Sequence, residues 1–149
     1  MKDQILETLC GMANAHLAEP AYLFIGIADK EADARRIAFL DKIAPVKVAD
    51  HYLVGIELEA AVMNVSVEEY CRKIKNFIDN SDLSKPLALS VLSNIDVVVC
   101  RGFSIVRLTV LPQKEISYFR DKIFIRKHSN TIQVTNPREI VAIAKSFFS

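Results

Sequence analysis

The chain has no tryptophan, four glycines and three cysteines among its 149 residues, and each scarcity excludes something. None of the glycines falls in a GxGxxG or GxxxxGK[ST] pattern, so no loop of backbone amides is laid out to cradle a nucleotide's phosphates. Cys10, Cys71 and Cys100 are widely spaced and odd in number. They offer neither a metal-ligand pair nor a disulfide framework, which predicts a reducing, cytoplasmic setting. His16, His51 and His128 are equally scattered, with no two on one helix face, so neither metal nor cofactor is expected. No serine or cysteine has a glycine elbow or a suggestively placed histidine nearby, which leaves the nucleophile reading without partners. No run approaches the about 18 apolar residues of a membrane-spanning helix. The opening "MKDQILETLC" carries acids where a secretory leader needs an apolar core, so no leader and no membrane partner are expected.

What is present reads as a soluble globular chain: 51% apolar and 25% charged residues, in a length that suits one domain over 1–149. The net charge of +1 conceals a division. Residues 1–70 hold 6 Lys/Arg against 12 Asp/Glu, whereas 101–131 hold 7 against 2. A field segregated in this way can steer an anionic partner although the whole is nearly neutral.

Periodicity predicts a first helix over 2–15, with Ile5, Leu6, Leu9, Met12 and Ala13 on one face. The run "AYLFIGIA" (21–28) predicts a strand buried on both faces, and "KEADARRIAFLDKI" an amphipathic helix ended by Pro45. A short strand at 51–56 and a helix from "ELEAAVM" follow. Ser66 and Glu69 form an S-x-x-E capping box, which opens a helix to about Asn80. Two strands are expected over 88–100 and 103–111, turned at "CRGF", with further strands at 116–119 and 122–127. Asn136-Pro137-Arg138-Glu139 starts a terminal helix running to Phe148. This order predicts an α+β fold, a mixed or antiparallel sheet with helices packed on it and a C-terminal helix.

Two groups of residues could carry chemistry. Glu57 and Glu59, with Asp29 and Asp33, could hold a divalent ion for phosphodiester cleavage, but acids at helix starts also serve the helix dipole. The stretch "YFRDKIFIRKHSNTIQV" (118–134) concentrates cations on a strand and the turn after it. Arg120, Lys122, Arg126 and Lys127 could neutralise phosphates, Ser129 and Thr131 in the turn could add neutral donors, and Phe124 could offer a ring for a base. A solvated edge strand protected by lysines explains the same residues, and the pattern alone leaves both readings open.

The motifs "ETLCGMANAHLAEPAYLFIGIAD" and "FSIVRLTVLPQKEISYFRDKIFIRKHSNTIQV" resemble the Schlafen-type, Alba-like nucleic-acid-binding domain. That family has a helix ending in an A-N-T type motif, a strand ending G-V-x-D, and closing strands with V-x-V-P and R-x-G-S-x-T. The resemblance spans most of 5–135. It sets Asn14 at the A-N position, Gly26 and Asp29 at G-x-x-D, and Arg126, Ser129 and Thr131 at the R…S…T turn. It implies a bacterial nucleic-acid-binding or sensing module, for RNA or single strands, that forms part of a larger regulatory or defence protein. Two departures stand out: "AHLAEP" replaces the glycine pair after A-N, and Lys127-His128 occupies the usual glycine position. The family's E-F-K strand has no counterpart before the first helix, which implies that any carboxylate site built on its glutamate is missing. A partner subunit or further domains could supply that strand. The readings carried forward are nucleic-acid binding, a metal-dependent RNase using Asp29, Glu57 or Glu59, and a domain that dimerises or docks within a larger protein.

Overall fold

A computed structural model describes residues 2–15, 18–28, 46–48, 51–53, 55–128 and 130–148. In chain order the elements are α1 (Lys2–Ala15), β1 (Ala21–Ile25), β2 (Ile27–Ala28), β3 (Val46–Val48), β4 (His51–Leu53), α2 (Glu57–Val62), α3 (Val67–Asp79), α4 (Lys85–Leu92), β5 (Ile95–Cys100), β6 (Phe103–Val110), β7 (Ile123–Lys127), β8 (Asn130–Val134) and α5 (Pro137–Ser146). The fold is α+β, as the sequence predicts, with sheets ordered β1-β6-β5 and β2-β4-β3 and a β7-β8 ribbon. The pairings of β4 with β2 and β3, of β5 with β6 and of β7 with β8 are all antiparallel. No helix among the described residues is long and apolar enough to cross a membrane. Contacts group the chain into two compact units, one of Met1–Leu23, Lys75–Asn94 and Thr109–Ser149, the other of Phe24–Ile74 and Ile95–Leu108.

In the first unit, α1 packs along β7 and touches β8. Its buried stripe of Leu6, Leu9, Cys10 and Ala13 follows the predicted helical spacing, and Leu83, Leu87, Val91, Val110, Phe119, Phe124 and Val134 are buried in the same unit. Each large side chain removed from water in this way contributes about 1.5–3 kcal/mol. The terminal helix starts as predicted: Asn136 accepts from the Arg138 N–H at 2.9 Å, and Pro137 follows where a missing N–H costs nothing. It ends at Ser146, short of the expected Phe148.

In the second unit, the α3 cap forms as expected, the Ser66 hydroxyl accepting from the Glu69 N–H at 3.1 Å. Glu69 turns its carboxylate to Arg72 on the next turn instead of closing the box. The β5–β6 hairpin turns at Arg101 and Gly102, both at positive φ (51° and 86°), as a two-residue loop between twisted strands requires. A Cβ at Gly102 would meet nothing within 4 Å, so the demand there is on backbone conformation alone.

Four local expectations need correction. The strand foreseen over 21–28 breaks at Gly26, whose φ of +109° ends the ladder. It is not buried on both faces: β1 lies at the end of its sheet, with Ala21 buried and Tyr22 and Phe24 exposed. The strand foreseen from 88 begins only at Ile95, because 85–92 is helical. Ser84 and Pro86 open that helix, and Leu87, Ala88 and Val91 are buried at helical spacing. The strand foreseen over 116–119 does not form: 116–118 are irregular, and Phe119 opens a tight turn in which it and Lys122 exchange two backbone hydrogen bonds of 2.9 Å around Arg120 and Asp121. The helix expected over 30–43 lies outside the described residues.

Candidate nucleic-acid interface

The ribbon β7–β8 pairs Ile123 with Val134, Phe124 with Gln133, Ile125 with Ile132, Arg126 with Thr131 and Lys127 with Asn130. Residues paired directly share a face and successive residues alternate, so Phe124 and Arg126 lie on one side with Thr131, and Ile125 and Lys127 on the other. The first side faces α1. A Cβ on Gly11 would stand 3.1 Å from the Arg126 nitrogen and 3.3 Å from the Thr131 methyl group, and the Thr131 hydroxyl lies 3.4 Å from that of Thr8.

This geometry separates residues that the sequence grouped together. Phe124 is only 6% exposed, with its ring centroid 6.4 Å from that of Phe119, so it is core and offers no face to a base. The side of the ribbon with Phe124 faces α1, whereas Ile123 and Ile125 on the other side are half-buried and Ile132 there is exposed. Asn14 is likewise withdrawn, at 3% exposure. Its Oδ1 accepts from the Ser117 N–H at 2.8 Å, while its Nδ2 donates to the carbonyls of Ser117 at 3.0 Å and Phe124 at 2.8 Å. It fastens the end of α1 to the segment leading into β7 through three hydrogen bonds to backbone groups, and its Nδ2 also lies 3.8 Å from the Cys10 sulfur. Thr131 belongs to strand β8 rather than the turn, where it accepts from an Arg126 Nη at 2.8 Å. Ser129 lies outside the described residues.

Arg120 is partly committed. Its guanidinium forks onto Asp3 in the first turn of α1 at 3.0 and 3.3 Å, lies 3.9 Å from Asp82 and stands 5.0 Å from the centre of the Phe119 ring. Exposed pairs of this kind stabilise little, so Arg120 mainly pins the turn to the helix. Lys122 and Lys127 are exposed and Arg126 half-buried; among the described residues none of the three pairs with a carboxylate. Lys122 and Lys127 are the cations of the predicted surface most open to an anion; Arg126 lies half-buried on the α1 side, donating to the Thr131 hydroxyl.

Beside Asn14, burial pushes the Cys10 thiol up to about 11, partly offset by a hydrogen bond with the Phe124 backbone. A thiol held so far toward its protonated form is a packing group and no nucleophile.

The carboxylates considered for metal-assisted cleavage have protein partners. Glu57 accepts from the Ser104 N–H, with its second oxygen at 3.2 Å, and Glu59 accepts from the Tyr70 hydroxyl at 2.7 Å. Burial, and then Glu59, push the Tyr70 phenol upward, so it stays a donor. No three His, Cys, Asp or Glu side chains gather around a common point among the described residues; Asp29 and Asp33 lie outside them.

Compared with known proteins, the chain matches no family model, and no curated protein or solved structure is significantly similar to it. The chemistry of the surface therefore carries the functional reading.

The same unit holds a second feature that no local sequence pattern marks. The strips 81–85 and 118–121 are zipped together: the Ser84 N–H donates to the Tyr118 carbonyl at 2.9 Å, the Tyr118 N–H to the Ser84 hydroxyl at 3.3 Å, and the Arg120 N–H to the Asp82 carbonyl at 3.2 Å. Between them opens a cleft of about 540 Å³, with Tyr118 on its wall. Tyr118 opens the basic stretch in the sequence, but its exposure depends on pairing with a segment more than thirty residues away, which no local pattern announces.

Proposed function

We propose that the chain binds nucleic acid, with single strands of RNA or DNA favoured, through the β7–β8 ribbon. The observation that carries this reading is the set of cations at Lys122, Arg126 and Lys127, none paired with a carboxylate among the described residues, gathered at one short hairpin. Lysine and arginine supply the phosphate contacts that dominate affinity. The resemblance to Schlafen-type, Alba-like domains supports the same reading. Arg120 contributes less, because Asp3 and Asp82 already balance it.

Fluorescence anisotropy with labelled single-stranded RNA, single-stranded DNA and duplex DNA, at low and physiological salt, tests this. Wild type should bind single strands with salt-sensitive affinity. Lys122→Ala and Lys127→Ala should each flatten the dependence of log K on log salt by about 0.7, the increment for one phosphate contact on a single strand. Both residues are exposed, so loss of fold does not confound the result. Binding that is absent, or unchanged in slope in the double variant, overturns the reading.

A second reading has its own observation. Among the described residues strand β5 ends its sheet, and it exposes three consecutive valines, Val97, Val98 and Val99, the last at 69%. An apolar sheet edge of this kind is a template for pairing with another strand, which supports self-association. Sedimentation velocity should then show a dimer that Val98→Lys dissociates; a wild-type monomer at every concentration counts against it.

A further inference from the structure

We propose that the cleft between strips 81–85 and 118–121 receives one unpaired nucleobase carrying an exocyclic amino group, stacked on Tyr118. This rests on the nucleic-acid reading above and gives it a source of preference that the ribbon lacks.

The argument starts from charge. Lys85 and Arg120 line the cleft, but Asp82 and Asp121 line it too, and the formal charges cancel. A cavity built for phosphate would carry a surplus of cations, because the ligand brings negative charge and must be desolvated. A balanced cavity with carboxylate acceptors suits a neutral ligand that donates N–H groups. Nucleobases fit: their flat faces stack on an aromatic ring, and a carboxylate accepts from the amino group of cytosine. The aromatic is in place, since Tyr118 lines the cleft and is 45% exposed. The volume of about 540 Å³ lies within the range of small-molecule pockets and accommodates a base with its sugar.

Position and rigidity agree. Two hydrogen bonds with Ser84, one to its backbone N–H and one to its hydroxyl, fix the main chain of Tyr118, so little ordering is left for binding. Asp121 is followed directly by Lys122, the first cation of the ribbon, and β7 begins at Ile123. A strand whose phosphates lie along the ribbon can therefore turn a base into the cleft without a long excursion. Duplex DNA cannot, because its bases are paired and stacked.

The test uses the whole chain and labelled oligodeoxycytidine, oligothymidine and a duplex. Oligodeoxycytidine should bind about fivefold tighter than oligothymidine, which lacks the amino group. Tyr118→Ala should weaken oligodeoxycytidine about tenfold, equally at low and physiological salt, because a neutral ring releases no counterions. Restoring the ring as Tyr118→Phe should recover the affinity. Asp121→Asn, which suits the residue's φ of 59°, should shrink the preference for cytosine. Oligonucleotide binding that depends on Lys127 yet ignores Tyr118→Ala, or a duplex bound as tightly as the single strands, overturns the cleft and leaves the ribbon standing. No binding to any of the three DNAs overturns both.

Discussion

Asn14→Ala should destabilise the chain by about 3 kcal/mol or more, since it strips three backbone groups of their partners at once. The Ser117 N–H, the Ser117 carbonyl and the Phe124 carbonyl all bond to this one buried amide, and each group left unsatisfied out of reach of water costs about 1–3 kcal/mol. Relaxation and entry of water would return part of the sum, which holds the expectation near its lower end. Asn14→Asp should be worse. The carboxylate keeps the acceptor for the Ser117 N–H but faces two carbonyls with negative charge, in a site with 3% exposure. Urea denaturation followed by circular dichroism reads both. The midpoint should fall while the slope holds, as expected when stability changes without a change in the exposed surface. A loss under about 1 kcal/mol for the alanine variant would mean that water replaces the amide, and that α1 is held to the 117–124 segment by apolar packing alone.

Much of the fold could be read from local signals, because its punctuation is local. Asn136-Pro137, Ser66 with Glu69, and Arg101-Gly102 act within a few residues of themselves, and each sits where the sequence puts it. "LALSVL" is apolar throughout and fits a buried strand as well as a helix, so periodicity alone does not reveal the helix over 85–92. The decisive signs were Ser84 and Pro86, an N-cap and a first-turn proline, easily taken for a loop before a strand.

The site was harder to read than the fold. Alternation along 122–127 gives the two faces of a strand without saying which face another element covers. The pattern therefore sets Phe124 among the exposed cations, although α1 covers it. Asn14 carried a usable signal: it continues the stripe of Leu6, Cys10 and Ala13, and an asparagine on a buried stripe needs internal partners. Its partners, Ser117 and Phe124, lie 103 and 110 residues away, so the sequence could say that it bonds inward but not to what.

Gly11→Val should cost about 3 kcal/mol, for the opposite physical reason: too much volume where the sequence leaves none. A glycine in the middle of a helix is itself a burden of roughly 1 kcal/mol relative to alanine, and such a position is expected only where something else needs the space. Here that is the backbone of β7. A Cβ at Gly11 would stand 3.1 Å from both the Arg126 nitrogen and the Ile125 carbonyl carbon, and 3.3 Å from the Thr131 methyl group. Main-chain atoms in a paired ribbon yield less than the tip of a long side chain, so α1 must lift from β7. For Gly11→Ala the gain in helix propensity offsets a tight contact, and the net change should stay within about 1 kcal/mol. Valine adds two methyl groups with a stiff χ1, and overpacking then dominates. The lifted helix also disturbs Arg126 and Thr131, so nucleic-acid affinity should fall together with stability, whereas Lys127→Ala should lower affinity alone. Thermal melts beside anisotropy separate the two. A Gly11→Val chain as stable as wild type would show that the seam between α1 and β7 has slack, and would remove the reason for a glycine there.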